Sequence, residues 1–484
     1  MKLNNPELLR SQCLINGEWC DALSGKREAV INPATGAELA SIPLVSEEET
    51  QQAIAAAQRA QNDWKQLTAK QRSALLLAWA DKVLAAQEDL AQLMTAEQGK
   101  SLAEARGEVT YAASFITWFA EEAKRVDGAV LQAPQASQRL VVVKQPIGVC
   151  AAITPWNFPA AMITRKVAPA LAAGCAIIVK PAEQTPLTAL ALAKLAQDAG
   201  IPAGVLQVVT GEAAQVGKVL CDSSVVRKLS FTGSTEVGRI LMAQCAPSIK
   251  KLSLELGGNA PVIVFDDANL DAAVAGIMAS KFRNSGQTCV CANRIYVQDG
   301  IYERLAEKLV AAVEQLKVGD GSQEGTTQGP LIDSDAVAKV QSHIDDALIK
   351  GAQIATGGQP HALGGTFFQP TVVTGVTQKM RFAKEETFGP VAPLFRFHDE
   401  AEAIAMANDT EFGLAAYLFT QNAARQWRVP EALEYGMVGI NTGLISNEVA
   451  PFGGVKQSGL GREGSCYGIE EYLELKYLCI DVSR

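Results

Sequence analysis

The 484-residue sequence lacks several signals, and each absence argues against a class of protein. Its first residues, MKLNNPELLRSQ, contain no apolar core of the kind found in secretory leaders, so we expect a cytoplasmic protein. The longest charge-free stretch, residues 145–164, contains three prolines, and a membrane-spanning helix is therefore not expected. No run of Lys or Arg offers a footprint for a phosphate backbone, and the net charge is -9, so nucleic acid is not an expected partner.

Patterns typical of metal sites and disulfide frameworks are also missing. Ten cysteines are spread along the chain without a C-x-x-C pair, and the only close pair is Cys289 and Cys291. This spacing predicts reduced thiols and no bound metal. The chain has only three histidines (His343, His361 and His398), none of them near the motifs described below. A carboxylate is therefore a better candidate than an imidazole for a catalytic base.

What is present is the composition of an ordinary globular protein, with 48% hydrophobic and 20% charged residues. At about 100–200 residues per domain, the length predicts two to four domains. Apolar residues at steps of three and four predict one long helix that ends at Gly99. The apolar positions are Leu76, Trp79, Val83, Ala86, Leu90 and Met94. A second helix is expected over about residues 102–124.

Strand-like and helical segments alternate between residues 148 and 256. Strands are expected at 149–153, 176–179, 205–209, 228–232 and 252–256. Helices are expected between them, at 160–173, 185–199, 212–222 and 235–246. This alternation predicts a parallel sheet that binds ligands at the carboxyl ends of its strands. The pattern resumes after residue 260, which predicts a second α/β domain.

Three glycine-rich segments bear on nucleotide binding. Residues 459–464 match G-x-G-x-x-G but follow no convincing strand, which favours a turn-rich loop. Residues 211–218 have the wrong spacing for a P-loop. The segment FTGSTEVG (231–238) is a better candidate, because Gly233 lets the backbone approach a phosphate where a predicted helix begins. From its residues alone, a cofactor loop and a tight turn are equally good interpretations.

Three residues are candidates for chemistry. Cys289 follows Gly286 and Gln287, which interrupt a helical pattern and place the thiol on a loop. There a lowered pKa would make it a nucleophile, and the alternative is a buried structural thiol. Glu255 ends an apolar strand, where burial would raise its pKa and make it a base, unless it is a solvated strand end. Asn157, between two prolines, is a candidate oxyanion donor or an ordinary turn residue.

These segments occur together and in order, and the series resembles that of the aldehyde dehydrogenase superfamily over essentially the whole chain. The motifs are TPWNFP, KPAE, FTGSTEVG, LELGGNAP, GQTC, EETFGP and PFGG. Longer strings, SKFRNSGQTCVCANR among them, resemble the succinate semialdehyde dehydrogenase branch. The resemblance implies an α/β fold with a Rossmann-type cofactor domain (1–125 and 146–256), an α/β catalytic domain (257–448), and a β oligomerisation arm with the C-terminal segment (126–145 and 449–484). It also implies a homo-oligomer, namely a tetramer.

The resemblance further implies a role for each site residue. Cys289 attacks the aldehyde carbonyl, Asn157 stabilises the oxyanion, and Glu255 activates the water that hydrolyses the thioester. Cofactor contacts are implied for Trp156, Asn157, Lys180, Glu183, Gly233, Ser234, Leu256 and Glu386. Candidates for binding a carboxylate on the substrate, with a structural role as the alternative, are Arg165, Arg283 and Ser446. Cys291 is a candidate for a reversible disulfide with Cys289, or else a buried spectator thiol.

The implied activity is NAD(P)-dependent oxidation of a carboxylate-bearing semialdehyde, with succinate semialdehyde converted to succinate. Glutarate semialdehyde and a broad range of aldehydes are alternatives, since one methylene changes binding by only about 1–3 kcal/mol. An acylating enzyme that uses coenzyme A is disfavoured by Glu255, and a non-catalytic relative by the retention of Cys289, Glu255 and Asn157. Because Glu183 would repel a 2′-phosphate, NAD is expected in preference to NADP, although Lys180 leaves NADP possible.

Overall fold

The computed structural model describes residues 1–483, and its largest element is an eight-stranded sheet. The five central strands run parallel, and antiparallel strands extend the sheet at both edges. In spatial order the strands are Gly459–Leu460, Lys251–Glu255, Val226–Thr232, Val149–Ile153, Ile177–Lys180, Leu206–Val208, Cys13–Ile15 and Glu18–Cys20.

Both faces of this sheet are buried, as a parallel sheet with helical crossovers requires. Along strand Val149–Ile153, Cys150 and Ala152 face one hydrophobic core, while Val149 and Ala151 face another. This alternation explains why the central strands are continuous apolar runs in the sequence.

A second sheet of seven strands follows in the chain. Six of its strands are mutually parallel, and Gln353–Thr356 pairs antiparallel at one edge. In spatial order the strands are Gln353–Thr356, Thr371–Val376, Val391–Phe397, Ala292–Gln298, Ala260–Val264, Ala415–Phe419 and Met437–Ile440.

Two smaller antiparallel sheets complete the strands. Arg27–Ile31 pairs with Glu38–Pro43. In the other sheet, Gln138–Pro146 lies between Ala129–Leu131 and Leu473–Asp481, so two strands from the first third of the chain meet a strand that comes more than 300 residues later. Its surface carries exposed apolar side chains, which include Val130, Leu475, Tyr477 and Ile480.

The α-helices are Glu47–Trp64, Ala69–Ala85, Gln87–Gln98, Leu102–Glu122, Ala161–Ala173, Pro186–Asp198, Ala213–Asp222, Thr235–Cys245, Leu270–Lys281, Tyr302–Val313, Ser334–Ile349, Glu400–Asn408, Arg425–Ala432 and Ser465–Glu470. The predicted alternation between residues 148 and 256 is confirmed, with element ends displaced by at most two residues. The α/β fold class is confirmed as well. The domain boundaries stay a prediction.

The prediction of one long helix up to Gly99 is wrong. The chain leaves helical geometry at Ala86, where φ is -95° and ψ is 14°, and a new helix begins at Gln87. Apolar spacing continues across the break because both helices contribute to the same core, so periodicity alone does not reveal it. The predicted end is correct, since Gly99 adopts a left-handed conformation with φ of 94°.

The strand order creates a crevice that positions the site. After strand Val149–Ile153 the chain adds Ile177–Lys180 and Leu206–Val208 on one side of that strand. It then returns and adds Val226–Thr232 on the other side of Val149–Ile153. The connections therefore diverge between these two neighbouring strands. In open α/β sheets, the carboxyl ends of the strands at such a switch point form the ligand crevice.

Candidate active site

Two loops flank the crevice at the switch point. Strand Val149–Ile153 runs into the loop that carries Asn157, and strand Val226–Thr232 runs into Ser234. Ser234 Oγ accepts a hydrogen bond of 3.3 Å from the first turn of helix Thr235–Cys245. The remaining N–H groups and the partial positive charge of this helix start suit a phosphate.

A third loop, which carries Cys289, follows a strained turn after helix Leu270–Lys281. Asn284 and Ser285 both have left-handed backbone conformations, with φ of 50° and 54°. Such conformations persist in non-glycine residues only where neighbouring contacts impose them. Here Glu104 Oε1 accepts the backbone N–H of Asn284 at 2.7 Å.

The Asn157 amide is tied to the Cys289 loop. Asn157 Nδ2 donates to the backbone oxygen of Gln287 at 3.0 Å, two residues before Cys289. The side chain is buried, and its Oδ1 has no hydrogen-bond partner within residues 1–483. The amide and the thiol named by the sequence are thus neighbours at one edge of the crevice.

A cavity of about 280 Å³ lies between the three loops. It is lined by the predicted residues Trp156, Asn157, Gly233, Ser234, Leu256, Cys289 and Glu386. Its lining also includes residues that the motif analysis passed over, among them Met162, Thr232, Asp333, Lys339 and Phe388. Phe388 lies inside the EETFGP motif and packs edge-on against Trp156, with ring centroids 5.6 Å apart. Lys339 comes from helix Ser334–Ile349 and carries no local signal in the sequence.

Seven predicted residues lie outside the lining of this cavity: Glu255, Arg165, Arg283, Ser446, Lys180, Glu183 and Cys291. Glu255 and Arg165 lie near Cys289, and Arg283 and Ser446 lie near Tyr111, which is itself close to Arg165. Lys180 and Glu183 lie at the end of a neighbouring strand. The predicted site therefore extends beyond the cavity, towards Arg165 and Tyr111 in one direction and towards Glu183 in the other.

The expectation of a lowered pKa at Cys289 is wrong for the protein in this state. Burial raises the pKa of the thiol to about 12, and the nearby positive charge of Arg165 offsets only part of that effect. The desolvation cost of a thiolate exceeds its attraction to a single buried cation. Cys289 is nevertheless partly accessible from the cavity, so it can be reached by a small substrate.

Glu255 matches its prediction as a buried carboxyl. Burial, reinforced by the negative charge of Glu463, raises its pKa well above the usual range. Neither carboxyl oxygen has a hydrogen-bond partner within residues 1–483. A Cβ at Gly453 would lie 2.9 Å from Glu255 Oε1, so glycine is needed there to leave this carboxyl room.

Glu463 is a site residue that the sequence analysis missed. It lies within residues 459–464, where the G-x-G-x-x-G pattern predicts a turn-rich loop and gives no sign of a role for a carboxylate. Its carboxylate forms ion pairs with Arg165 and Lys166 on helix Ala161–Ala173, and the Arg165 Nε to Glu463 Oε2 distance is 2.8 Å. Burial raises the pKa of Glu463, but the two cations more than offset this and hold it below its usual range. Charged residues inside an apolar helix were the signal available in the sequence.

The three predicted carboxylate-binding residues gather around Tyr111. Burial raises the pKa of the Tyr111 phenol, while the positive charges of Arg165 and Arg283 and the nearby Ser446 hydroxyl lower it. The Tyr111 hydroxyl is buried without a hydrogen-bond partner in the described part of the chain. Arg165 lies over the ring of Phe452 at 3.9 Å, and its Nη2 has no partner within residues 1–483. Two guanidinium groups, a phenol and a hydroxyl form a suitable environment for a carboxylate.

The other end of the site is acidic. Lys180 Nζ lies 2.5 Å from Glu183 Oε1 at the end of strand Ile177–Lys180. Glu183 borders a second cavity, of about 610 Å³, together with Glu28 and Asp333 and without a Lys or Arg in its lining. Burial and the charge of Glu183 raise the pKa of Glu28. Ile332 and Asp333 line both cavities, which are therefore adjacent.

The last two predicted residues differ in their relation to the first cavity, because Glu386 lines it and Cys291 does not. Glu386 Oε1 accepts the Gly258 N–H at 3.1 Å, and burial raises its pKa to about 7. Cys291 is buried, with Sγ 3.3 Å from Lys281 Nζ, and it does not line the cavity that Cys289 lines. The Cys289–Cys291 disulfide stays a prediction.

Residues 1–483 contain no group of three or more His, Cys, Asp or Glu side chains arranged to hold a metal ion. Among the same residues, no helix has the length and apolar character needed to cross a membrane.

Comparisons with known proteins agree with the geometry. The aldehyde dehydrogenase family model matches residues 19–478. The NADP(+) succinate-semialdehyde dehydrogenase of Escherichia coli (strain K12) is 65% identical over 480 residues, covering 99% of this chain and 100% of the relative. A glutarate-semialdehyde dehydrogenase of Pseudomonas putida is 64% identical over 482 residues, covering 100% of both chains. The crystal structure of an aldehyde dehydrogenase from Brucella melitensis biovar abortus 2308 superposes with a TM-score of 0.99 at 64% identity, covering 100% of both chains. The chain belongs to the aldehyde dehydrogenase family.

Proposed function

We propose that this protein oxidises a carboxylate-bearing semialdehyde, succinate semialdehyde in the first instance, to the dicarboxylic acid. The observation that carries the proposal is that the accessible Cys289 thiol and the Asn157 amide line one cavity, while the unpaired Glu255 carboxyl lies close enough to influence the pKa of that thiol. Their types and positions fit a nucleophile, an oxyanion donor and a base. Relatives named as succinate- and glutarate-semialdehyde dehydrogenases support the substrate class.

Aldehyde dehydrogenases use NAD(P), and the residues of the cleft fit such a cofactor. Ser234 and the start of helix Thr235–Cys245 offer N–H groups to a diphosphate. A Cβ at Gly257 would lie 3.2 Å from Glu386 Oε2, so glycine keeps the cavity open beside that carboxyl. Trp156 and Phe388 form an aromatic wall. When bound, the cofactor supplies a hydride-accepting ring with a positive charge.

The chain's own residues then divide the reaction between them. Cys289 Sγ, once deprotonated, attacks the aldehyde carbon, and Asn157 Nδ2 donates to the oxygen that becomes negative. Hydride loss from this adduct leaves a thioester on Cys289. Glu255 removes a proton from the water that attacks the thioester carbon, and the acid leaves as Cys289 regains its thiolate. Glu463, held by Arg165 and Lys166, keeps a permanent negative charge near Glu255 and favours its protonated product form.

The substrate carboxylate binds, in this proposal, between Arg283 and Arg165, with Tyr111 and Ser446 beside them. Arg165 lies near both Cys289 and Tyr111, and Tyr111 lies near Arg283 and Ser446, which supports a substrate that carries its aldehyde and its carboxylate on one chain. Glutarate semialdehyde is the second candidate, favoured by the relative from Pseudomonas putida.

NAD is proposed as the preferred cofactor. The acidic character of the cavity beside Glu183 disfavours a 2′-phosphate, and a carboxylate at the end of the second strand suits the ribose hydroxyls. The NADP(+) relative from Escherichia coli argues in the other direction, which makes cofactor choice a separate test.

A homotetramer and the predicted domain division are part of the proposal. The three-stranded sheet presents a free edge and exposed apolar residues, including Val130, Leu475 and Ile480. Such edges are normally covered by a partner. Sedimentation or light scattering of the purified protein measures the number of subunits.

Two variants test the mechanism. Cys289→Ala should abolish aldehyde oxidation, because it removes the nucleophile. Glu255→Gln should still reduce one equivalent of cofactor in a rapid burst and then turn over slowly, because only thioester hydrolysis is impaired. Stopped-flow absorbance of the reduced nicotinamide distinguishes the two. Wild-type turnover in Cys289→Ala would contradict the proposal.

A further inference from the structure

One short segment of the chain contacts the Asn157 loop from two directions. Lys100 Nζ donates to the backbone oxygen of Asn157 at 2.8 Å. Glu108, two turns into helix Leu102–Glu122, accepts the backbone N–H groups of residues 160–161 with Oε1, at 2.9 and 3.2 Å. The two side chains also bind each other, with Lys100 Nζ 2.5 Å from Glu108 Oε2.

The same segment contacts the loop of the nucleophile. Glu104 lies one turn before Glu108 and accepts the N–H of Asn284 at 2.7 Å. Asn284 Nδ2 in turn donates to the backbone oxygen of Asn157 at 3.1 Å. The carbonyl of Asn157 therefore receives hydrogen bonds from Lys100 and from the strained turn that precedes Cys289.

The Lys100–Glu108 pair is built into the interior. Each side chain is only 1% exposed, and Lys100 Nζ also lies over the ring of Phe158 at 4.0 Å. Helix Ala161–Ala173 begins without a side-chain cap of its own. Glu108, which belongs to another helix, supplies the acceptor for the free N–H groups in the first turn of helix Ala161–Ala173. Buried charges are unfavourable unless their hydrogen-bonding groups find partners. Lys100 and Glu108 find theirs in each other and in the backbone of the Asn157 loop.

We propose that Lys100 is a positioning residue for the oxyanion step, and that it acts through Asn157. By fixing the carbonyl of Asn157, Lys100 fixes the backbone from which the side-chain amide reaches towards the Cys289 loop. Oxyanion donors are effective because they are held in place before the reaction, and a displacement of about 1 Å can lower the rate roughly 100-fold. The inference rests on the proposed role of Asn157 as the oxyanion donor.

The test compares two variants in which both buried charges are removed together. Lys100→Met with Glu108→Gln removes the donor to Asn157 while leaving an acceptor for residues 160–161. Lys100→Gln with Glu108→Gln keeps an N–H donor near the same carbonyl. Lys124→Met, which removes an exposed lysine paired with Glu121, is the control. Melting temperature and subunit number are measured for every variant.

We expect the Met variant to lose about 30-fold or more in kcat, with KM values for cofactor and aldehyde within about threefold of wild type. The Gln variant should regain much of that loss, and Lys124→Met should match wild type. Equal kcat values for the Met and Gln variants would overturn the inference.

The decisive measurement repeats each substitution in an Asn157→Ala background. If Lys100 acts through Asn157, its substitution there should change kcat by less than about threefold, because the donor it positions is already gone. An undiminished loss in that background would show a general structural role and overturn the inference. Where the Met variant does not fold, Lys100→Ala with Glu108→Gln, which also lacks the donor to Asn157, takes its place in the same cycle and is judged by the same criterion. Wild-type turnover by Asn157→Ala alone would instead contradict the proposed function.

Discussion

Arg165 and Glu463 lie side by side beneath the Cys289 region, with Nε 2.8 Å from Oε2 although they are almost 300 residues apart in the chain. Burial opposes the charge of Arg165, but the surrounding acidic groups raise the pKa of its guanidinium and keep it ionised. Arg165 is thus committed to Glu463, whereas Arg283 is only half-buried and lies over the ring of Phe158. The two predicted carboxylate ligands are therefore not equivalent.

Arg283 should carry most of the affinity for the substrate carboxylate. We expect Arg283→Leu to raise KM for succinate semialdehyde roughly 10- to 100-fold, which corresponds to the loss of a charge-assisted hydrogen bond of about 1.5–3 kcal/mol. For butanal, which lacks the carboxylate, kcat/KM should be the same in the variant and in wild type. Arg304→Leu, at an exposed helix position, is the control. Equal losses for both aldehydes would contradict a carboxylate clamp.

Cofactor affinity should depend on pH through Glu386. Burial raises the pKa of this carboxyl to about 7, so the acceptor form predominates above that pH and the protonated form below it. Because ribose hydroxyls bind an ionised carboxylate more strongly than a protonated one, the Kd for NAD should increase as pH falls from 8 to 6. In Glu386→Gln, affinity should be weaker and flat over the same range. Direct binding titrations at several pH values make the comparison, and a pH-dependent variant would refute the assignment.

A methyl group at Gly453 should slow hydrolysis of the thioester. The Cβ of Gly453→Ala would lie 2.7 Å from the backbone oxygen of Gly461 and 2.9 Å from Glu255 Oε1, so the carboxyl must shift. We expect a burst of reduced cofactor followed by a steady-state turnover that is at least about tenfold slower than that of wild type, because a misplaced base loses much of its effect. Gly107→Ala, where a Cβ meets nothing within 4 Å, is the control. A Gly453→Ala enzyme without a burst would show that Glu255 is not the group affected.

Use of NADP should improve when Glu183 is replaced. In Glu183→Ser the repulsive carboxylate is gone and Lys180, no longer held at 2.5 Å by Glu183, can approach a phosphate. We expect kcat/KM for NADP to rise about tenfold or more while that for NAD falls. Initial rates with both cofactors on wild type and variant measure this. Preference for NADP in the wild type would reverse the proposal.

Oxidation should inactivate the enzyme reversibly if Cys289 and Cys291 form a disulfide. Cys291 points towards Lys281 and is buried, so the loop must rearrange before the two sulfurs meet. We expect peroxide to abolish activity, dithiothreitol to restore it, and Cys291→Ala to lose activity irreversibly because Cys289 then oxidises further. Inactivation that is identical in wild type and Cys291→Ala would argue against the disulfide.

The sequence predicted those parts of the site that local chemistry determines. Cys289, Asn157 and Ser234 lie where a strand or helix ends, and motifs mark such ends. Glu463, Lys339 and Tyr111 were missed because their roles depend on distant segments that meet only in the folded chain. The pKa of Cys289 was misjudged for a related reason: a loop position predicts access, but desolvation depends on everything packed around the loop.

The C-terminal region has a consequence for how the enzyme is made. Gly459–Leu460 forms the outermost strand beside Lys251–Glu255, and the Ser458 hydroxyl donates to the oxygen of Gly257, which is 201 residues earlier. The strand that ends in Glu255 therefore gains its last neighbour only when residues 459–460 fold back onto it. Contacts at such separations are slow to form, because closing a long loop costs entropy before the contact stabilises anything. During folding, the strands of the nucleotide crevice can therefore assemble before the strand of Glu255 has this neighbour, so the capacity to hydrolyse a thioester should be the last part of the activity to appear.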